Sequence, residues 1–341
     1  MNYKTLGGTG LLVSEFCLGT MTFGGKDFPM SAVMGALDDG AAQKLVDEAI
    51  DAGINFFDTA NQYGLGESEE ILGRALKGKR NEVVLSTKVR FRMGPGINQA
   101  GLSRGHILEQ AEASLRRLGT DYIDLYQIHG LDPLTDWEET LRALDDLVTS
   151  GKVRYIGCSN LQGWQIVKAN SISRQLGLRS FHANQSYYSL AGRDIERDII
   201  PVVQDQKMGL LVWSPLAGGF LSGKYSRNTQ GGEDDRRTKF DFPPVDREQG
   251  YAVIDVLQEI AEERESTVAG IALAWLLQQP AVTSIIVGAR RPEQLRDNLR
   301  ASNVVLSEGE MTRLDEASKL KPEYPLWDPS MYIADRYPVQ P

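Results

Sequence analysis

Apolar positions along the chain fall into two alternating rhythms. Short runs dense in β-branched, aromatic and aliphatic residues occur at 14–19 (SEFCLG), 55–59 (NFFDT), 82–89 (EVVLSTKV) and 122–129 (YIDLYQIH). Four more follow at 153–160 (VRYIGCSN), 180–188 (SFHANQSYY), 209–216 (GLLVWSPL) and 283–289 (TSIIVGA). Runs this short, bounded by polar or glycine-bearing segments, predict strands. Between them apolar residues recur at helical spacing, as in AAQKLVDEAIDAG (41–53), GHILEQAEASLRRLG (105–119) and DWEETLRALDDLVTSG (136–151). Each of these three ends in glycine, a common helix stop.

Strands alternating with helices imply right-handed crossovers and a parallel sheet. No early strand runs into G-x-G-x-x-G at a helix start, so the dinucleotide site of open sheets is missing. The polar residues of interest sit at the C-terminal ends of strands, where barrel sites lie. The predicted fold class is therefore α/β: a (β/α)8 TIM barrel forming a single domain over 1–341. Residues 1–13 predict a leading hairpin turning at Gly7 and Gly8. After the seventh strand, residues 225–250 carry two adjacent glycines, a Pro-Pro pair and a block of charges, which predicts a long loop acting as a lid over the mouth. Residues 307–318 predict an extra C-terminal helix, and the proline- and aromatic-rich 319–341 a surface tail.

Composition narrows the function classes. A chain of 341 residues with 41% hydrophobic content can build a large core, and a formal charge of −9 argues against a nucleic-acid surface. The two cysteines, Cys17 and Cys158, lie in apolar strands and read as buried thiols in a reducing compartment. The first residues lack the charged start and apolar core of a secretory signal. No apolar run approaches the ~18 residues of a membrane span. The expected location is the cytoplasm, with no nucleic-acid or membrane partner.

Four residues then line up by position. Asp58 ends the second strand, Tyr63 follows in its loop, Lys88 closes the third strand and His129 the fourth. Strand ends that neighbour one another round a barrel converge on one mouth. A free phenol, with a pKa near ~10, is a poor acid at neutral pH. Lys88 would favour the phenolate and lower that value, while Asp58 would hold Lys88 charged and in place. His129, neutral, would orient a carbonyl. Tyr63 could then protonate a developing alkoxide. A metal-dependent hydrolase is disfavoured: the only histidines are His106, His129 and His182, with no His-x-His on the first strand. His106 reads as an exposed helix-start residue and His182 as core.

These motifs resemble the aldo-keto reductase superfamily nearly end to end. LGTMTFGG, NFFDTANQYGLGESEEILGRAL, LGTDYIDLYQIH, SGKVRYIGCSN, NQSYYSL, VWSPLAGGFLSGKY and VGARRPEQLRDNL match in order and spacing. The likeness is greatest to bacterial long-loop members and the related potassium-channel β subunits. The resemblance implies NADPH or NADP+ extended across the mouth and reversible reduction of a small-molecule aldehyde or ketone. The alternative it carries is an NADPH-binding regulatory or scaffolding protein with slow turnover.

Carried over by position, the cofactor site would include Thr20 and Met21, and Asp58 would lie near the nicotinamide. Ser159, Asn160 and Gln185 would bind its carboxamide, and Trp213 would stack on the ring. Ser214, Pro215, Leu216, Gly218 and Lys224 would embrace the pyrophosphate, with Arg237 of the long loop closing over it. Gly288, Arg290, Gln294 and Asn298 would hold the adenosine end, at a helix start that favours phosphate. Arg290 and Arg291 stand where a 2′-phosphate would lie, and arginine suits bidentate phosphate binding. Substrate contacts are expected from Phe23, Phe28, residues 30–40, Leu131 and Trp327, an apolar mouth.

Overall fold

A computed structural model describes residues 1–26, 33, 35–233, 235–325 and 327. Eight parallel strands close into a barrel: β3 (Phe16–Gly19), β4 (Phe56–Asp58), β5 (Val84–Val89), β6 (Ile123–Ile128), β7 (Val153–Ser159), β8 (Ala183–Tyr187), β9 (Gly209–Trp213) and β12 (Val282–Val287). The last strand pairs with both β9 and β3, which seals the ring. Each predicted strand is present, and its observed ends fall within three residues of the expected ones.

Side-chain alternation explains why these runs look alike in sequence yet divide in space. Along β4, Phe56 joins an inner cluster with Cys17, Val84, Leu125, Ala183, Leu211 and Ile286, while Phe57 belongs to the larger cluster between barrel and helices. Successive strand residues face opposite sides. The inner cluster also contains Leu6 and Val13 from the leading hairpin, in which β1 (Tyr3–Thr5) pairs antiparallel with β2 (Leu12–Ser14). These two side chains plug the barrel floor. Gly7 turns there at φ 57°, and a β-carbon would sit 2.5 Å from the Lys207 carbonyl oxygen. The glycine pair is thus a structural turn rather than a phosphate cradle.

The predicted helices are also present, at Asp39–Asp51, Arg104–Leu118, Trp137–Thr149, Pro292–Leu299 and Glu308–Ala317. Ser307 and Glu310 start the last of these with a reciprocal capping box. The stretch 225–250 departs from the expected plain loop. It contains a small hairpin, β10 (Tyr225–Ser226) against β11 (Thr229–Gln230), a one-turn helix, α7 (Arg236–Lys239), and the start of α8 (Arg247–Glu263). Polar contacts organise it: Asp235 accepts from the Gly232 amide at 2.8 Å and pairs with Lys224. Hydrophobic periodicity does not register such contacts.

The tail begins on the surface, where Arg197 donates to the Lys321 carbonyl at 3.1 Å and pairs with Glu323. Trp327 is exposed. The rest of the predicted tail, together with Phe28 and residues 30–32 and 34 of the 30–40 stretch, lies outside the described residues. Among the described residues no helix is long and apolar enough to cross a membrane, and no cluster of His, Cys, Asp or Glu is placed to hold a metal.

Candidate functional site

The inward faces of the strands carry apolar residues low in the barrel and polar ones above them. Two residues beyond Phe56, Val84, Leu125 and Ala183 come Asp58, Ser86, Gln127 and Gln185, and Lys88 follows Ser86 by two more. The period of two therefore delivers these side chains into one interior volume at the C-terminal rim.

Asp58 is 2% exposed and accepts from three donors. Lys88 Nζ lies 2.5 Å from Oδ2, while the Gln185 and Gln127 side-chain amides reach Oδ1 at 3.0 Å and 3.3 Å. Lys88 itself is fully buried and also donates to the Thr59 carbonyl at 2.8 Å. Its charge also acts on Tyr63, whose ring centroid lies 5.2 Å from Nζ. An ammonium has three donors and no acceptor, so the Tyr63 O–H cannot donate to Lys88.

Charge follows from these contacts. Burial alone would pull the Lys88 ammonium down, but Asp58 and then Tyr63 more than compensate and hold it above the ordinary lysine value. Burial pushes the Tyr63 phenol up; Lys88 opposes the push without cancelling it, and Asp58 adds to it. The expected net lowering of Tyr63 is therefore reversed: Lys88 acts in the expected direction, but desolvation is larger. His129 is driven well below the usual histidine range, first by burial and then by Lys88 and Arg90, so the imidazole is neutral at pH 7. Its ring meets Tyr63 edge-on at 5.9 Å and Phe91 at 4.9 Å, and its Nδ1 is buried without a partner.

Around this core, several residues expected at the mouth are committed to one another. Ser159 donates to the Gln185 carbonyl at 2.8 Å. Asn160, at φ 56°, donates to the His129 carbonyl and accepts from the Trp213 indole at 3.2 Å. The Thr20 hydroxyl is buried 3.0 Å from that of Ser68, beneath the rim, whereas Met21 is partly exposed. Trp213 stands at the end of β9 with Phe242 stacked on it at 6.0 Å. Ser214 turns the chain at φ 52° and accepts from the Gly218 amide at 2.9 Å. A β-carbon on Gly218 would sit 2.3 Å from the Phe242 carbonyl oxygen, so the long segment can cross here only over glycine. Pro215 and Leu216 complete this turn.

The arginines divide differently from expectation. Arg237 is 4% exposed and engaged internally: it donates to the Ala217 carbonyl at 2.6 Å and the Pro243 carbonyl at 2.9 Å, and pairs with Asp241. Its neighbour Arg236 is the one coupled to the site's charges: burial and then Arg290 depress its guanidinium, Tyr63 opposes that shift, and its Nε, like that of Arg237, is buried without a partner. Arg290 donates to the Val33 carbonyl, and its own amide is held by Gln294 at 2.9 Å, at the start of the helix opened by Pro292. Arg291 is exposed at that helix's N-cap, Gly288 is exposed, and Asn298 lies on the same short helix. Lys224 is paired with Asp235.

Three expectations are corrected. His106 is 2% exposed rather than at the surface, because the start of its helix packs under the turn at Phe91. Phe23 is 1% exposed and belongs to the outer core instead of lining the mouth. His182, expected in the core, is partly exposed against Tyr155. Gln127, Phe91 and Phe242 escaped the sequence reading, and Arg236 lies one residue from the arginine it named. Gln127 alone had a signal, since it shares the inward face of β6 with Leu125.

A closed parallel barrel with a buried lysine paired to a carboxylate and set beside a phenol at its C-terminal rim defines a class of barrel oxidoreductase. The chain belongs to the aldo/keto reductase family, whose sequence model matches residues 15–319. It is 40% identical to an uncharacterized oxidoreductase, YrpG, of Bacillus subtilis, over 93% of this chain and 95% of that protein. It is 36% identical to versiconal hemiacetal acetate reductase of Aspergillus parasiticus, over 93% and 96% respectively. It is also 34% identical to a probable voltage-gated potassium channel subunit beta of Arabidopsis thaliana, over 95% and 99%.

Proposed function

We propose that this chain reduces an aldehyde or ketone with NADPH, and that Tyr63 gives the proton to the developing alkoxide oxygen. The observation that carries this reading is Tyr63 beside the buried Lys88 that pairs with Asp58. An ammonium cannot accept a proton, so the phenol proton is left for another acceptor, and a carbonyl bound at the mouth would be one. The raised phenol remains protonated at neutral pH, the state an acid needs before transfer. A cation beside it stabilises the phenolate left behind. Neutral His129 can donate one hydrogen bond to the carbonyl without adding a charge that would compete with Lys88.

The residues fit a phosphate-bearing cofactor. Arg236 and Arg290 are brought near one another, and Arg236 keeps a buried nitrogen with no partner, an arrangement that an anion between them would relieve. Trp213 stands at the end of β9, directly before the tight Ser214–Gly218 turn. When bound, NADPH supplies the hydride. Arg236 would take the pyrophosphate, and Arg290 and Arg291 the 2′-phosphate. In the reverse direction Tyr63 must first lose its proton, so oxidation is expected to rise with pH further into the alkaline range than an ordinary tyrosine would give.

Similarity to channel β subunits supports a second reading, a cofactor-binding protein with slow turnover. One comparison separates them. Tyr63→Phe removes a hydroxyl, so NADPH binding followed by fluorescence is expected to persist while aldehyde reduction falls ~100-fold or more. Near wild-type turnover in that variant would refute the proton-donor role. Tight NADPH binding with negligible turnover in the wild type would favour the second reading.

A further inference from the structure

We infer that Arg90 is a carboxylate-binding residue of the substrate site, so that the preferred carbonyl compounds are monoanions carrying a carboxylate about one aromatic ring away from the carbonyl. This rests on the reductase reading above and adds a substrate class to it. Arg90 lies two residues beyond Lys88, at the mouth end of β5. Its backbone adopts φ 150°, a region that residues with side chains rarely enter. Such strain persists only where surroundings impose it, and it concentrates at functional sites. Here the imposing contacts are the Gly101 amide, which donates to the Arg90 carbonyl at 2.7 Å, and the Leu131 carbonyl, which accepts from Arg90 Nε at 3.0 Å.

The side chain is thereby aimed while its working end stays open. The guanidinium carbon lies 4.8 Å from the Phe91 ring centroid, and Phe91 in turn meets His129 at 4.9 Å. Its charge also reaches His129, where it adds to the depression of the imidazole. The two terminal amino groups of Arg90 have no hydrogen-bond or ion-pair partner among the described residues. The acid that could neutralise it, Asp132, makes no ion pair with it. That carboxylate accepts instead from the Leu102 amide at 2.7 Å, the Leu134 amide at 3.0 Å and the Thr135 hydroxyl at 2.7 Å. Elsewhere in this chain of net charge −9, half-buried arginines such as Arg80 and Arg117 each hold a carboxylate. Arg90 is positioned like them but lacks the anion.

A planar fork with two free amino groups matches the two oxygens of a carboxylate. A dianion would call for a second cation on the same side. The charge of Lys88 is already paired with Asp58, and Arg236 is coupled to Arg290, so one positive charge is offered and a monoanion balances it.

The test compares 4-carboxybenzaldehyde with its neutral methyl ester, methyl 4-formylbenzoate, in steady state with NADPH. Wild type is expected to favour the acid by about 10- to 100-fold in kcat/KM, the scale of a charge-assisted hydrogen bond, with the difference mainly in KM. Arg90→Met is expected to bring that ratio close to one, and Arg90→Lys to keep part of it. Thermal midpoints of both variants control for loss of folding. An unchanged ratio in Arg90→Met, or a wild-type preference for the ester, overturns the assignment. If neither aldehyde is reduced although NADPH binds, the reductase reading fails, and calorimetry with 4-carboxybenzaldehyde decides the anion site separately. Binding lost in Arg90→Met then supports it, and equal or absent binding in both proteins overturns it.

Discussion

Lys88→Met tests the site's electrostatics through folding as well as activity. In the native protein Asp58 is 2% exposed, and Lys88, the cation paired with it, is itself fully buried. Removing one partner of a buried ion pair typically costs ~3–5 kcal/mol, because a charge is left without compensation. Asp58 would keep two amide donors, Gln185 at 3.0 Å and Gln127 at 3.3 Å, so the low end, about 3 kcal/mol at pH 8, is expected. Urea unfolding of wild type and variant at pH 8 should show that loss directly. Adding Asp58→Asn should recover much of the loss at pH 8. Unchanged stability in Lys88→Met, or no recovery in the double variant, would refute the reasoning. Carbonyl reduction by Lys88→Met is expected to fall at least as far as in Tyr63→Phe, since Tyr63 loses the cation that stabilises its phenolate.

Two further outcomes concern the cofactor. Arg290→Ala is expected to weaken NADPH binding by ~10-fold or more while barely changing NADH, the scale of one charge-assisted hydrogen bond; equal loss for both cofactors in fluorescence titrations would move the arginine's role to a group they share. Hydrogen exchange should show protection rising across Gly231 to Phe240 when NADPH binds, because Arg236 gains an anion there and Phe242 lies over Trp213. Protection confined to the strand ends would make this segment an ordinary surface insertion.

The sequence by itself determined the barrel and the place of its chemistry. Eight short apolar runs alternating with amphipathic segments leave few topologies, and a closed ring brings strand ends together whatever the helices do. Asp58, Lys88 and His129 were legible because each ends such a run, and Tyr63 because it follows one directly. The tertiary structure decided what those residues touch. A period of two says that Gln127 and Gln185 face inward, but only the closed ring brings amides from two separate strands onto one carboxylate oxygen. The net direction of the Tyr63 shift depended on desolvation, a property of the surrounding volume that no local pattern contains. His106 and Phe23 were misplaced for a related reason, since burial at a helix start or a loop depends on which neighbour covers it. In the long segment, adjacent arginines are equivalent in sequence. A single helical turn sends Arg237 into backbone carbonyls and Arg236 toward Tyr63, because neighbouring residues on a helix point about 100° apart.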